Sequence, residues 1–216
     1  MKNQSTFQII QKEIGPMQNF VYLIGDSETK KAAIVDPGWD AETINKIADV
    51  SGYSISDILI SHTHFDHVNA LLLLLKKVDA KVHVHKNEAI YLKEARENIH
   101  AVESGDILVI GETKIRFIHT PGHTPGSQCF HIDNNLVSGD TLFINGCGRC
   151  DLPGGNPEEM YYSLKNKLMK LDDTTILYPG HNYAKTTTST LGDEKQKNPY
   201  MLKESLSDFL KFRMGK

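Results

Sequence analysis

Cysteine is scarce in this chain of 216 residues: Cys129, Cys147 and Cys150 are the only three. So small and odd a number excludes a disulfide-dense secreted scaffold and points to a reducing compartment, so a cytoplasmic location is expected. Long apolar runs are also missing. The longest, Val68 to Leu75, is interrupted by Asn69 and falls well short of the roughly 18 residues that a membrane helix requires; no membrane partner is expected. The amino-terminal stretch MKNQSTFQII has neither a long apolar segment nor a small-residue cleavage site, so no signal peptide is expected. Charge of one sign is lacking too, since 24 lysines and arginines face 27 aspartates and glutamates for a net charge of -3. That balance offers no electrostatic footprint for nucleic acid.

What remains is a pattern of short strands and amphipathic helices. The runs FQII (Phe7–Ile10), FVYLI (Phe20–Ile24) and AAIV (Ala32–Val35), separated by turn residues, predict an antiparallel meander. Asp40 predicts an N-cap for a helix with Ala41, Ile44, Ile47 and Ala48 on one face and its end at Gly52. DILIS then reads as a buried strand, followed by one leucine-rich helix to Lys76–Lys77, the strand KVHVH (Lys81–His85) and a helix over KNEAIYLKEA. Four more strands follow, ILVI, KIRFI, QCFHI and NLVSG, the last two joined tightly at Asn134–Asn135. Asn156 caps a helix whose inner stripe is Met160, Leu164, Leu168 and Leu171, and TTILYPGH reads as a strand ending at a turn. A polar stretch from Thr186 to Asn198 leads to a final helix carrying Leu202, Leu206, Phe209 and Leu210. Helices with a single apolar stripe and strands that are mostly buried predict an α/β fold, a four-layer αββα sandwich of two mixed β-sheets flanked by helices.

Histidine is the outlier, with ten residues. The stretch DILISHTHFDHVNA crowds three of them and an aspartate into six positions. On a strand, residues two apart share a face, so His62 and His64 are expected to converge on one ion at the end of DILIS. Asp66 and His67, at the start of the following helix, are offered to a second ion. His123 in PGHTPGS, Asp140 in SGD and His181 in YPGH each follow a glycine after a predicted strand, where the backbone can crowd a ligand. The isolated histidines His83, His85, His100, His119 and His131 read as ordinary hydrogen-bonded or surface residues. Asp36 in DPG divides evenly between a turn role and support of the site. The C-x-x-C of Cys147–Cys150 reads as a loop without redox function, having no second cysteine pair.

HTHFDH, PGHTPGS, GD and PGH, in that order and spacing, resemble the metal-binding motifs of the metallo-β-lactamase-fold superfamily, from about Phe7 to Pro199. The resemblance implies a single domain over residues 1–216, with a carboxy-terminal helix at about 200–214. It also implies two metal sites, one held by His62, His64 and His123, the other by Asp66, His67 and His181, with Asp140 bridging. Zinc is the expected metal, with iron or manganese as alternatives. Two divalent ions bring a shared water toward ionisation at neutral pH, and Asp66 is the expected catalytic residue, orienting that hydroxide or taking its proton.

The stretch DTLFINGCGRCDLPGG is similar to the corresponding loop of hydroxyacylglutathione hydrolases (glyoxalase II) and of persulfide dioxygenases of the same fold. The former implies that Arg149 and Tyr183 bind a glutathione-type substrate, although Asp151 stands where glyoxalase II has a tyrosine. The leading expectation is a thioester hydrolase acting on a small thiol conjugate through a metal-bridged hydroxide. The alternative is a dioxygenase with a single iron on His62, His123 and Asp140, oxidising glutathione persulfide to sulfite.

Overall fold

The segment Asn19–Asp26 is buried at every position, which demands cover on both faces of its sheet. Successive side chains of a strand point to opposite sides, and here Val21 and Leu23 enter one apolar cluster while Phe20, Tyr22 and Ile24 enter another. The structure, a computed structural model, describes residues 7–215. Residues 1–6, part of the stretch in which no signal peptide was expected, and Lys216 lie outside the described residues.

The first sheet runs β1 (Phe7–Ile14), β2 (Asn19–Asp26), β3 (Lys31–Val35), β4 (Ser54–Ile60), β5 (Lys81–His85) and β6 (Ile99–Val102), neighbours in that order. β1 to β3 pair antiparallel, the expected meander, and β3 to β6 pair parallel. Helix α1 (Ala41–Ser51) connects β3 to β4. Asp40 caps it by accepting from the amides of Glu42 and Thr43, and Gly52 ends it at a φ of 75°, both as predicted. The leucine-rich segment is not one helix but two, α2 (Phe65–Val68) and α3 (Leu71–Leu75). The chain breaks between them because Asn69 Oδ1 accepts from Trp39 N at 2.5 Å and Ala70 N donates to Pro37 O at 3.1 Å. KNEAIYLKEA likewise forms two 3-10 turns rather than a helix.

The second sheet contains β7 (Ile107–Ile110), β8 (Thr113–His119), β9 (Gln128–Ile132) and β10 (Asn135–Gly139). Asn135 pairs with Ile132, so the β9–β10 turn is Asp133–Asn134, one residue earlier than expected. A small hairpin, β11 (Leu142–Phe143) and β12 (Gly146–Cys147), precedes helix α4 (Pro157–Asn166). Asn156 caps α4, and Leu168 continues its inner stripe from a 3-10 turn. β13 (Ile176–Pro179) pairs parallel to β10 and antiparallel to β14 (Ser189–Thr190), which makes this sheet mixed as well. The supposed polar connection holds β14 and helix α5 (Leu191–Lys197). The last helix, α6 (Leu206–Met214), starts later than expected because Ser205 caps it, leaving Leu202 outside and 49% exposed.

Three apolar clusters separate four layers. Ile44 and Ala48 of α1 and Leu71 and Leu74 of α3 pack on the outer face of the first sheet. Tyr22, Val35 and Leu59 meet Phe117, Phe130 and Val137 between the sheets. Cys129, Leu136 and Leu177 pack under Met160, Leu164 and Phe209 on the far side. This is the αββα sandwich expected. The carboxyl ends of β3, β4, β8, β10 and β13 meet along one edge, where Gln128 ties the sheets by donating from N to Ser61 O and from Nε2 to Ile60 O, both at 2.9 Å. Among the described residues, no helix is long and apolar enough to cross a membrane.

Candidate metal centre

Strand β4 ends at Ile60, so His62 and His64 lie on the loop beyond it and not on a strand. They converge nonetheless, with ring centroids 4.7 Å apart. His123, from the loop after β8, approaches them at 4.8 and 4.5 Å. These three residues present ligand atoms within 4.8 Å of one another, as do Asp66, His67 and His181. In the second group His67 Nε2 lies 3.2 Å from His181 Nε2, and Asp66 Oδ2 lies 3.4 Å from each. Asp140 stands between the groups, 3.4 Å from the Nε2 atoms of His67 and His181 and 3.5 Å from that of His123. All seven residues offered as ligands thus meet in one place.

Four of the five rings are tied back through Nδ1. His67 donates to Asp36 Oδ2 at 3.0 Å, His181 to Met17 O at 2.9 Å and His123 to Arg149 O at 2.7 Å. His62 Nδ1 lies 3.0 Å from Ser61 Oγ, which itself donates to Asp36 Oδ2 at 2.5 Å. With the proton placed on Nδ1, each Nε2 is left as a lone-pair donor toward the centre. Asp36 can be grouped with His62 and His67 as a further ligand set, but its carboxylate is engaged behind the rings and orients them.

The glycine argument holds at Gly180, where an added Cβ would meet Asp140 Oδ1 at 2.3 Å. It does not hold at Gly122, whose φ of 138° and close approach to the Met160 backbone serve the packing of α4 instead.

Electrostatics expose the demand for positive charge. Burial opposes an imidazolium at His67, yet Asp140, Asp36 and Asp66 outweigh it and raise its pKa to about 9. Burial also opposes ionisation of Asp140, but His67 and His181 hold its carboxyl well below the usual range. His62 is pushed the other way, by burial first and then by the imidazoles around it. His62 Nε2, His123 Nε2 and Asp140 Oδ1 are buried without a hydrogen-bond partner. Such atoms are costly unless something coordinates them, and a nitrogen and oxygen donor set of this kind suits a divalent ion.

Sequence reasoning overlooked three supports. Asn19 Nδ2 donates to Asp66 Oδ2 at 2.8 Å and is itself held by Trp39 Nε1 at 2.7 Å. Buried Glu88 accepts from Thr63 N at 3.1 Å, from Thr63 Oγ1, and from Gly126 N at 3.0 Å, joining the HTHFDH loop to the PGHTPGS loop. No local pattern marks Asn19 or Glu88, because their partners are distant in sequence.

Tyr183 is 57% exposed and stacks on His181 with centroids 4.7 Å apart at 10°. It lines a groove of about 840 Å³ with Gln18, Asn145, Asn182 and Lys185. A smaller opening of about 300 Å³ lies beside His64, walled by Tyr91, Pro125 and Pro153. Arg149 is exposed, and its guanidinium forms a two-pronged pair with Asp151 at 2.8 and 2.7 Å.

The pattern of the Metallo-beta-lactamase superfamily matches residues 14–181. The chain belongs to that superfamily. It is 31% identical over 198 residues to the probable polyketide biosynthesis zinc-dependent hydrolase PksB of Bacillus subtilis, covering 92% of this chain and 88% of that one. It is 35% identical over 168 residues to a hydroxyacylglutathione hydrolase of Pseudomonas fluorescens, covering 78% of this chain and 63% of the relative. The crystal structure of ETHE1 from Myxococcus xanthus superposes with a TM-score of 0.87 at 28% identity, over 96% of this chain and 90% of the other. Membership of the glyoxalase II-like and persulfide dioxygenase-like branch agrees with the motifs.

Proposed function

We propose that this superfamily member is a glyoxalase II-like thioester hydrolase with two divalent ions, acting on a glutathione-type or other small thiol conjugate. The observation that carries this reading is the pair of three-residue groups lying side by side with Asp140 between them. His62, His64 and His123 would hold one ion and Asp66, His67 and His181 the other, with the Asp140 carboxylate lying beside histidines of both groups. Zinc is the metal expected, with iron or manganese compatible with the same donors. Bound there, the ions supply an ionised water at neutral pH and polarise the substrate carbonyl.

The chain's own groups do the rest. Asn19 fixes one oxygen of Asp66, so the carboxylate is aimed to orient the attacking water and take its proton. Asp36, Met17 O and Arg149 O hold the rings, so little reorganisation is needed as charge develops. Tyr183 offers a phenol at the groove and Arg149 a guanidinium suited to a carboxylate of the thiol portion.

One observation favours a second reading, a mononuclear iron persulfide dioxygenase. The three site residues with unpartnered buried atoms are His62, His123 and Asp140, the two-histidine, one-carboxylate set that non-heme iron uses.

Metal analysis of protein purified without oxygen, run with both assays, separates them. Two metals per chain and thiol release from S-lactoylglutathione is the expected result. One iron per chain with oxygen uptake on glutathione persulfide selects the dioxygenase, and absence of bound metal overturns both.

A further inference from the structure

A carboxylate-backed imidazole recurs outside the centre, in the mouth between the two sheets where β5 and β6 face β7 and β8. His83 and His100 are register partners on the parallel strands β5 and β6, and their ring centroids stand 5.2 Å apart at 69°. That is nearly the arrangement of His67 and His181 in the centre, at 5.1 Å and 76°. Behind His83 the buried Asp57 carboxylate accepts from Nε2 at 2.7 Å, as Asp36 accepts from His67 Nδ1. A ring that gives its proton to a carboxylate through one nitrogen presents a lone pair on the other. His83 Nδ1 is that nitrogen, and it has no hydrogen-bond partner among the described residues. Exposed His100 likewise has neither nitrogen engaged among them. Both rings line a cavity of about 490 Å³ with Phe117, Lys81 and Asp106, and none of the seven ligand residues of the centre lines it. Asp106 Oδ2 accepts from Glu103 N at 2.8 Å, which leaves Oδ1 available. Burial works against ionisation of Asp57, but the hydrogen bonds from His83 and Ser56 hold its carboxyl below its ordinary value. Among the charged groups that line the cavity or touch the pair, Asp57 and Asp106 outweigh Lys81, which favours a cation.

We propose that His83 and His100 form a second metal site, separate from the centre, which takes one first-row transition cation such as zinc, copper or nickel, with Asp57 as the positioning residue behind His83. The two imidazoles supply two of its ligands, and imidazole suits these ions. Water and the available Asp106 oxygen are at hand for the remaining positions. Magnesium and calcium, which take oxygen ligands, do not suit it. Because β5 and β6 each give one ligand, a bound ion clamps the edge strand of the first sheet to its neighbour. An ion that binds the folded chain and not the unfolded one adds to stability. The site owes nothing to the thioesterase reading and stands or falls without it.

Copper(II), the tightest binder of the series, is the probe. Protein whose centre is already loaded with zinc, and from which excess metal has been removed, is titrated with copper(II). Electron paramagnetic resonance follows the copper, and elemental analysis follows the zinc retained. The natural chain is expected to take up one copper per chain, with hyperfine structure from coordinated nitrogen, while keeping its zinc. His100→Ala removes an exposed side chain, so the fold is kept, and this variant should lose that uptake at copper concentrations that saturate the natural chain. Asp57→Asn keeps the shape but removes the charge behind His83, and copper affinity should fall about 10- to 100-fold. Copper bound only in exchange for zinc, or uptake that persists unchanged in His100→Ala, overturns the site. An affinity untouched by Asp57→Asn overturns the role of Asp57 in positioning His83.

Discussion

Asp36 takes two donors from Ser61 and one from His67 on a backbone held at a φ of 50°, a left-handed conformation that aspartate and asparagine tolerate. Its carbonyl also accepts from Gly38 N at 2.7 Å, so the DPG turn forms while the same residue's carboxylate is tied to Ser61 and His67. Asp36→Asn keeps the shape and the backbone preference but removes the charge that orients His67. Metal affinity should fall about 10- to 100-fold, measured by competition with a chromophoric chelator; an unchanged affinity would remove Asp36 from the support of the centre. Apart from His83 and His100, the isolated histidines take ordinary roles by comparison. His85 stacks on His119 at 3.9 Å, with burial and then His119 holding the pKa of His85 down to about 4.

Elements meet at this centre as loops, and Glu88 shows how loops from two sheets are kept in register. It lies beside the 3-10 turns that replaced the expected helix, and its two oxygens serve amide donors on both ligand loops. Glutamine at this position has one acceptor oxygen, so one buried N–H loses its partner. Glu88→Gln should cost about 2 kcal/mol, a fall of roughly 4–8 °C in the melting temperature for a chain of this size, read by calorimetry on the metal-loaded protein. A melting temperature within error of the natural chain would show that the loops hold their places without this latch. The helices were easier to read than the loops: α1 and α4 carry Asp40 and Asn156 as caps, local chemistry that acts over three residues.

At the scale of the whole molecule, the two sheets are pinned at a second edge by Asp26. Its buried carboxylate, at the end of β2, accepts from Thr29 N and Oγ1 and, across the sandwich, from Glu112 N and Thr113 Oγ1. Burial works against its ionisation, but these donors prevail and hold the carboxyl far below the ordinary range. A carboxylate depressed in the folded state stabilises above its unfolded pKa of about 4 and loses that contribution as pH falls. Urea unfolding of the natural chain should therefore lose stability between about pH 6 and about pH 3, and Asp26→Asn should lose distinctly less over that interval while starting lower. Equal losses in the two proteins would exclude Asp26 as the acid-sensitive clasp.

The sequence by itself determined most strands, the capped helices and the identity of the ligand candidates, because alternation, caps and the clustering of His62, His64, Asp66 and His67 are local signals. It could not decide that the leucine-rich segment divides at Asn69 or that α5 lies within the polar stretch. Tertiary structure decided those boundaries, through bonds to Trp39 and Pro37 in the first case and the packing of Leu191 in the third cluster for the second, whereas the start of α6 is set locally by its Ser205 cap. It alone brought His123, Asp140 and His181 to the HTHFDH loop, and it alone gave Asn19, Asp36 and Glu88 their partners. The physical reason is reach: caps and alternation act over a few residues of chain, whereas the centre is held by hydrogen bonds between residues whose separation in sequence carries no pattern.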